Sequence, residues 1–173
     1  AAPGAAAGCA GGALYGVVHV PAGGACASAQ PSCSALVRVD PSSGAVAQLG
    51  SGANVTATTG DLGAVLGSVY YVLGDEGDGF TALLGFNLAD GSEACRRPVG
   101  IPEVGIVGGG QSLAADPARG RLVVAGLANS TAGLYYHLVF GVDVSSAPCG
   151  AGAPLGLMGT FTGASDYLPM AHA

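Results

Sequence analysis

One pattern occurs three times along the chain, and it limits the possible folds more than any other feature of the sequence. An apolar strand end runs into an acidic or amide residue, and a turn rich in Gly, Ser, Pro or Asp follows. The residues at this point are Asp40, Asn87 and Asp143, which lie roughly 50 residues apart. Because self-similarity at a period of about 40 to 50 residues is typical of repeat architectures, we expect three copies of one supersecondary unit.

Flanking apolar segments complete each unit. A strand is predicted ahead of each copy, over residues 13–20, 68–73 and 121–127. An outer strand is predicted after each copy, over residues 45–49, 94–99 and 154–161. Ahead of the last copy, residues 112–120 end in a Pro-containing turn and begin the clearest hairpin of the chain. Gly or Pro interrupts every window long enough for three helical turns. The sequence therefore predicts an all-β fold of four-stranded antiparallel units.

Two stretches, VDPSSG from Val39 and DPARGRLVVAG from Asp116, resemble the blades of secreted β-propellers in the broad group that includes NHL and YVTN-type repeats. The resemblance covers most of residues 13–161 and implies an architecture rather than an activity. It implies about three β-propeller blades, at approximately residues 13–60, 61–104 and 105–163, and the start of a next blade at 164–173. The small residues of the segment 1–12 predict a flexible N-terminal segment.

The number of units raises a physical difficulty for a propeller. A closed propeller normally needs at least about four blades, and three units alone would expose apolar faces and sheet edges. We therefore expect the remainder of a larger domain, or other protein chains, to complete the ring. A two-sheet β-sandwich is the alternative architecture.

Cysteines and glycosylation sequons indicate the secretory pathway and an extracellular or cell-surface location. The sequons begin at Asn54 and Asn129, each in a polar stretch between apolar segments. Cys26 and Cys33 flank a short polar loop, so a local disulfide between them is predicted. The partners of the remaining cysteines are left open: Cys9, Cys95 and Cys149.

Charge and hydropathy exclude several classes of function. The net charge is −6 and the five basic residues are all arginines, so a nucleic-acid partner is not expected. Without lysine the chain has no P-loop phosphate site and no Schiff-base chemistry. No apolar run reaches the roughly 18 residues of a membrane span, and no cofactor is predicted.

Several motifs suggest chemistry only weakly. Asp75, Glu76 and Asp78 in GDEGDG could hold calcium through carboxylate oxygens, although their spacing differs from an EF-hand loop. Ser112 lies in GQSLA, one residue short of a nucleophile elbow, and no helix pattern follows it. The glycine-rich run from Gly105 similarly lacks the helix that a dinucleotide loop requires. No catalytic residue is therefore predicted.

Two functions remain open from the sequence. The favoured one is a non-catalytic structural or protein-interaction module of an extracellular or cell-surface assembly, with protein chains and glycans as partners. The alternative is a carbohydrate-binding or hydrolytic β-propeller with a site on the ring axis. Its only support is one aspartate near each predicted inner strand, namely Asp61, Asp116 and Asp166.

Overall fold

The chain folds into three antiparallel β-sheets that follow one another along the sequence. The computed structural model describes residues 9–10, 12–21, 32–53, 56–57, 63–75, 81–101, 104–106, 112–130, 135–150 and 156–161. Within these residues the only helical segment is the short 3₁₀ turn Pro148–Gly150. The all-β expectation is confirmed.

Sheet A contains β1 to β4, over Cys9–Ala10, Ala13–Pro21, Ser32–Val39 and Val46–Ala53. Sheet B contains β5 to β9, over Thr56–Ala57, Ala64–Leu66, Val69–Asp75, Thr81–Asn87 and Glu93–Pro98. Sheet C contains β10 to β15, over Gly100–Ile101, Val104–Ile106, Ser112–Asp116, Arg121–Ser130, Tyr135–Asp143 and Gly156–Phe161.

Each sheet is a meander of four successive strands, because every strand pairs with the next one along the chain. The orders are β1-β2-β3-β4 in sheet A, β6-β7-β8-β9 in sheet B and β12-β13-β14-β15 in sheet C. In sheets B and C, short strands extend the first strand: β5 pairs with the end of β7, and β11 with the end of β13. The repeated unit of the sequence is therefore a repeated unit of the fold.

The strand bounds differ from the predicted units in three places. β1 lies within residues 1–12 and pairs with β2. Thr56–Ala57 fall in the first predicted unit but belong to sheet B, and Gly100–Ile101 fall in the second but belong to sheet C. The glycine-rich stretch from Gly105 begins within strand β11. Short strands of this kind escape prediction because pairing to a distant strand, not local pattern, creates them.

The turns after β3 and β8 have the same hydrogen bonds. In sheet A the Asp40 N–H donates to Ala45 O at 2.9 Å, and Gly44 N–H donates to Asp40 O at 2.8 Å. In sheet B the Asn87 N–H donates to Ser92 O at 2.9 Å, and Gly91 N–H donates to Asn87 O at 2.8 Å. The identical pattern establishes that Asp40 and Asn87 are equivalent positions.

Backbone bonds extend this equivalence to sheet C. Leu88 N–H donates to Ser68 O at 2.9 Å, and Val144 N–H donates to Gly120 O at 3.0 Å. In both sheets, B and C, the bond joins the turn after the third strand to the turn before the second strand. Asn87 and Asp143 are therefore equivalent as well, as the repeat in the sequence predicts.

An Asp-x-Ser pair is hydrogen-bonded in the connection that follows the third strand of all three sheets, although in sheet B it lies three residues beyond Asn87. The carboxylate Oδ1 of Asp40 accepts from the N–H and the hydroxyl of Ser42, at 2.8 and 2.7 Å. Asp90 accepts from Ser92 in the same way, and Asp143 from Ser145. These bonds favour the ionised carboxylate, and they lower the pKa of all three aspartates.

Ser42→Ala is expected to raise the pKa of Asp40 from about 2 toward an ordinary value, because the Ser42 hydroxyl contributes most to the lowering. An NMR titration of the side-chain carboxyl carbon measures it. Ser43→Ala is the control and should shift the pKa less, because the Ser43 hydroxyl contributes less. An Asp40 pKa that is the same in Ser42→Ala and in the parent chain would contradict this account of the turn.

The sign of the accompanying pH dependence follows from the lowered pKa. An unfolded aspartate has a pKa of about 3.9, above the folded pKa of about 2 for Asp40. The stabilisation is therefore fully present above about pH 4 and is lost as the pH falls toward 2. Thermal melts across this pH range should show a smaller decrease in melting temperature for Ser42→Ala than for the parent chain.

The three sheets stack face to face, with sheet B in the middle. On one face of sheet B, Tyr70, Val72 and Phe86 form a cluster with Leu36 of sheet A. On the other face, Tyr71, Leu73 and Leu83 belong to a larger cluster with the buried side chains of sheet C, among them Leu122, Val124, Leu138, Phe140 and Val142. Alternation along β7 therefore sends neighbouring tyrosines to opposite interfaces. The described residues contain no helix with the length and hydrophobicity needed to span a membrane.

Candidate functional site

The predicted site residues fall mostly at the edges of the described structure. Asp75 is the last residue of β7, whereas Glu76 and Asp78 lie outside the described residues. Asn54 and Cys26 also lie outside them, and Asn129 pairs with Tyr135 across β13 and β14. Cys33 is disulfide-bonded. The calcium site, the glycans and the Cys26–Cys33 pairing stay predictions.

The structure places Ser112 in a hairpin. It is the first residue of β12 and pairs with Ala125 of β13. A nucleophile elbow requires a sharp turn from a strand into a helix, whereas β12 continues through the turn at residues 117–120 into β13. Ser112 is thus a strand residue, as the sequence favoured.

Asp116 is engaged in ion pairs on the surface of sheet C. Its Oδ2 accepts from Arg119 Nη1 and from Arg121 Nε, each at 3.0 Å. Bonding to the two guanidinium groups lowers the pKa of Asp116, with the Arg119 hydrogen bond the largest cause. A general acid needs the opposite shift, toward neutral pH. Asp61 and Asp166, the other two aspartates of the axial hypothesis, lie outside the described residues.

Potential metal ligands and histidines lie apart in the described part of the chain. It contains no group of three His, Cys, Asp or Glu residues that could hold a metal ion. His19 is exposed on β2, opposite Ser34, and His172 lies outside the described residues. Three tyrosines pack between sheets: Tyr15 and Tyr70 between sheets A and B, and Tyr71 between sheets B and C.

A covalent and hydrogen-bonded junction connects sheet B to sheet C. Cys95 on β9 forms a disulfide with Cys149 in the 3₁₀ turn, across 54 residues of sequence. Arg97 donates through Nη1 to the carbonyl oxygens of Cys149 and Gly150. The sequence left the partners of both cysteines open, because spacing alone does not assign a pairing.

Tyr71 completes the junction from the buried side. It belongs to the same cluster as Cys149, and its hydroxyl is bonded to the Cys149 backbone. Burial raises the pKa of Tyr71, because the phenolate would be desolvated there. Arg96, the neighbour of Arg97 in the sequence, forms a two-point ion pair with Glu93, so these two arginines present no basic patch.

The faces of the two outer sheets are the distinctive feature of the surface. Among the described residues, four large hydrophobic side chains are exposed: Leu14 at 41%, Val18 at 38%, Val46 at 64% and Met158 at 50%. The first three lie on the face of sheet A that points away from sheet B, because Tyr15, Val17 and Leu49 pack toward sheet B and strand residues alternate between faces. We call this face A.

Met158 lies on the corresponding face of sheet C, which points away from sheet B and which we call face C. A Cβ added at Gly141 would point to this face and would meet Met158 Sδ at 3.7 Å. Val123 and Val139 share the face, since their strand neighbours Leu122, Val124, Leu138 and Phe140 point into the cluster with sheet B. Both ends of the stack thus present apolar side chains to solvent.

Part of face A is already covered. Val20, Cys33 and Ala35 form a small buried cluster at the far end of β2 and β3. Leu14 and Val46 lie next to the Asp40 turn, away from this cluster, and Val18, which pairs with Ala35, is also exposed. An apolar surface of this kind, at the end of a stack of sheets, is typical of a site for protein contact.

Comparison of the chain with protein-family models, with curated proteins and with solved structures gives no match. The class of protein is therefore defined by its own geometry: an all-β protein of three stacked antiparallel meanders, with a disulfide between the second and the third.

Proposed function

We propose that this chain is a non-catalytic structural or protein-interaction module of an extracellular or cell-surface assembly, and that its sheets are consecutive blades of a β-propeller-like ring. The observation that carries the proposal is the placement of the exposed large hydrophobic side chains of the described residues. All four lie on face A and face C, the two faces of the stack that no described sheet covers. Faces that continue the stack at both ends favour assembly over an isolated globule.

Three further observations support the non-catalytic part of the proposal. Asp116 is held by arginines, Ser112 lies in a hairpin, and the described residues contain no cluster suited to a metal. The described turns near Asp40, Asn87 and Asp143 are short and bonded internally. Such turns hold the strands together and leave few polar groups for a substrate.

The location rests on the cysteine chemistry. The Cys95–Cys149 disulfide links two sheets, and structural disulfides persist mainly in oxidising compartments. The sequons at Asn54 and Asn129 agree with that location. Occupancy of either sequon by a glycan is part of the proposal.

Hydroxyl-radical footprinting tests the interaction module. In the dilute purified chain we expect Leu14, Val18, Val46 and Met158 to be oxidised readily, because all four are exposed. In the extracellular fraction of the cells that make the protein, we expect protection of at least one of the two faces. Ala89, exposed in the β8–β9 turn, marks a control peptide that should react equally in both samples. Equal oxidation of all four side chains in both samples would refute the proposed function.

A further inference from the structure

The two interfaces inside the stack are built in one way. In each, the outer strand of one sheet contacts the turn that follows the third strand of the next sheet. In the first, β4 contacts the β8–β9 turn: a Cβ added at Gly91 would collide with the Leu49 carbonyl. In the second, β9 contacts the β14–β15 connection through the Cys95–Cys149 disulfide. The same rule makes β15 the strand that would contact a further sheet.

Register shows that face A is a face of the kind that a preceding sheet covers. The residue before Asp40, Asn87 or Asp143 pairs with Leu14 in sheet A, with Tyr70 in sheet B and with Leu122 in sheet C. Tyr70 and Leu122 are 4% and 0% exposed, each buried in the interface with the preceding sheet. Leu14, at the equivalent position, is 41% exposed. Sheet A therefore has the face that a preceding sheet covers in sheets B and C, but no described sheet covers it.

Face C is the other half of such an interface. Gly85 in sheet B and Gly141 in sheet C lie at equivalent positions, two residues before Asn87 and Asp143. A Cβ added at Gly85 would meet Cys95 Sγ at 2.6 Å, and one added at Gly141 would meet Met158 Sδ at 3.7 Å. Met158 thus occupies on sheet C the place from which Cys95, on sheet B, reaches the next sheet.

The charges of the two faces permit such a contact. The exposed side chains of face A are Leu14, Val18, Val46 and the neutral Gln48, which pairs with Val37. On face C, Asp116 is bonded to both Arg119 and Arg121, each at 3.0 Å. Contact between the faces would therefore leave this carboxylate paired, and an unpaired buried charge is what would disfavour such an interface.

We propose that the partner of this module is a second copy of the same chain, docked head to tail, with face C of one copy on face A of the other. The proposal rests on the proposed function and names its partner. Among the described sheets, face C is the one remaining face of the covering kind, and face A is the one that lacks a cover. Met158 of one copy contacts the Asp40 turn and Val46 of the other.

In a dimer, face A and face C of both copies are covered at the same time. Each copy supplies three sheets, so two copies make a ring of six, within the range of about four to eight blades that propellers use. A two-fold axis relates the two identical contacts, and the ring closes without leaving an end for further growth.

The test uses the purified, oxidised full chain and two charged variants. Sedimentation equilibrium should give a mass of two copies that does not increase further with concentration. Val46→Glu on face A and Met158→Glu on face C should each weaken dimerisation by about 100-fold or more, because each homodimer would carry the charge in both contacts. Both positions are at least half exposed in the single chain, so folding should be unaffected. Ala89→Glu, in the turn of the covered sheet B, is the matched control and should leave the dimer intact.

Mixing the two variants distinguishes the arrangement. A Val46→Glu copy retains an intact face C, and a Met158→Glu copy retains an intact face A. The mixture can therefore form one native contact and should associate at least about tenfold more tightly than either variant alone. A monomeric chain at all concentrations would overturn the proposal, as would a dimer sensitive only to Val46→Glu, or open polymers larger than two copies. If the purified chain is monomeric but its faces are protected in the extracellular fraction, the second-copy inference fails while the proposed function stands.

Discussion

Replacing Cys95 and Cys149 together by alanine is expected to lower the free energy of unfolding by about 4 kcal/mol. The disulfide closes a loop of 54 residues, and in the chain-entropy model a cross-link of that span removes much of the freedom of the unfolded chain. The native state also loses a tie between sheets B and C. Because the chain has no tryptophan, urea unfolding is best followed by far-UV circular dichroism and tyrosine fluorescence.

The single variant Cys95→Ala is the control for this prediction. It removes the same bond but retains Cys149, and it should lie within about 1 kcal/mol of the double variant, since a buried cysteine behaves as a small apolar side chain. A loss below about 1 kcal/mol in both would mean that the disulfide adds little beyond the packing of the two sheets.

Gly91→Ala is expected to destabilise the chain far more than the equivalent change Gly44→Ala. Both glycines have a left-handed backbone, with φ of 71° and 70°, and both occupy the same place in equivalent turns. Alanine in this conformation costs about 1 kcal/mol. A Cβ at Gly44 would meet nothing within 4 Å, whereas one at Gly91 would collide with the Leu49 backbone of sheet A. The collision should add about 2 kcal/mol or more.

Urea unfolding of both variants, at a concentration low enough to keep the chain monomeric, measures this difference. The comparison isolates the contact between sheets A and B, because the backbone strain is common to the two variants. Equal losses would show that the β8–β9 turn is not pressed against β4. A selective loss in the sheet A signals of Gly91→Ala, by hydrogen exchange, would locate the damage at that interface.

These experiments and the dimer test bear on the architecture as well as on the function. Each interface in the stack is sandwich-like, since two sheets pack face to face around an apolar cluster. Ring closure is what separates a propeller from a stack of sandwiches. A closed dimer would support the ring, and an isologous contact between two copies of face A would favour a doubled stack.

Local features of the structure could be predicted from the sequence to a useful degree. Asp40, Asn87 and Asp143 were placed in equivalent turns, and the structure gives them equivalent hydrogen bonds. The second strands predicted from residues 13, 68 and 121 correspond to β2, β7 and β13. These predictions succeed because turn chemistry and strand periodicity depend on residues that are close together in the chain.

Little of the candidate site could be predicted from residues that are close together in the chain. The pairing of Cys95 with Cys149, the role of Arg97 beneath the 3₁₀ turn and the burial of Tyr71 at the same junction join residues from two different sheets. Periodicity marks one face of a strand as apolar, but it does not say whether another sheet covers that face. Leu14 and Leu122 occupy equivalent positions with similar sequence signals, yet one is 41% exposed and the other is fully buried.

By itself, the sequence determined the all-β class, the three repeated units and the turns that end their third strands, because short-range hydrogen bonding and alternation specify them. Only the tertiary structure decided which faces meet, which cysteines join and which apolar side chains remain at the two ends of the stack. The physical reason is that burial is a property of surfaces brought together from about 50 residues apart, so no local stretch of sequence contains it.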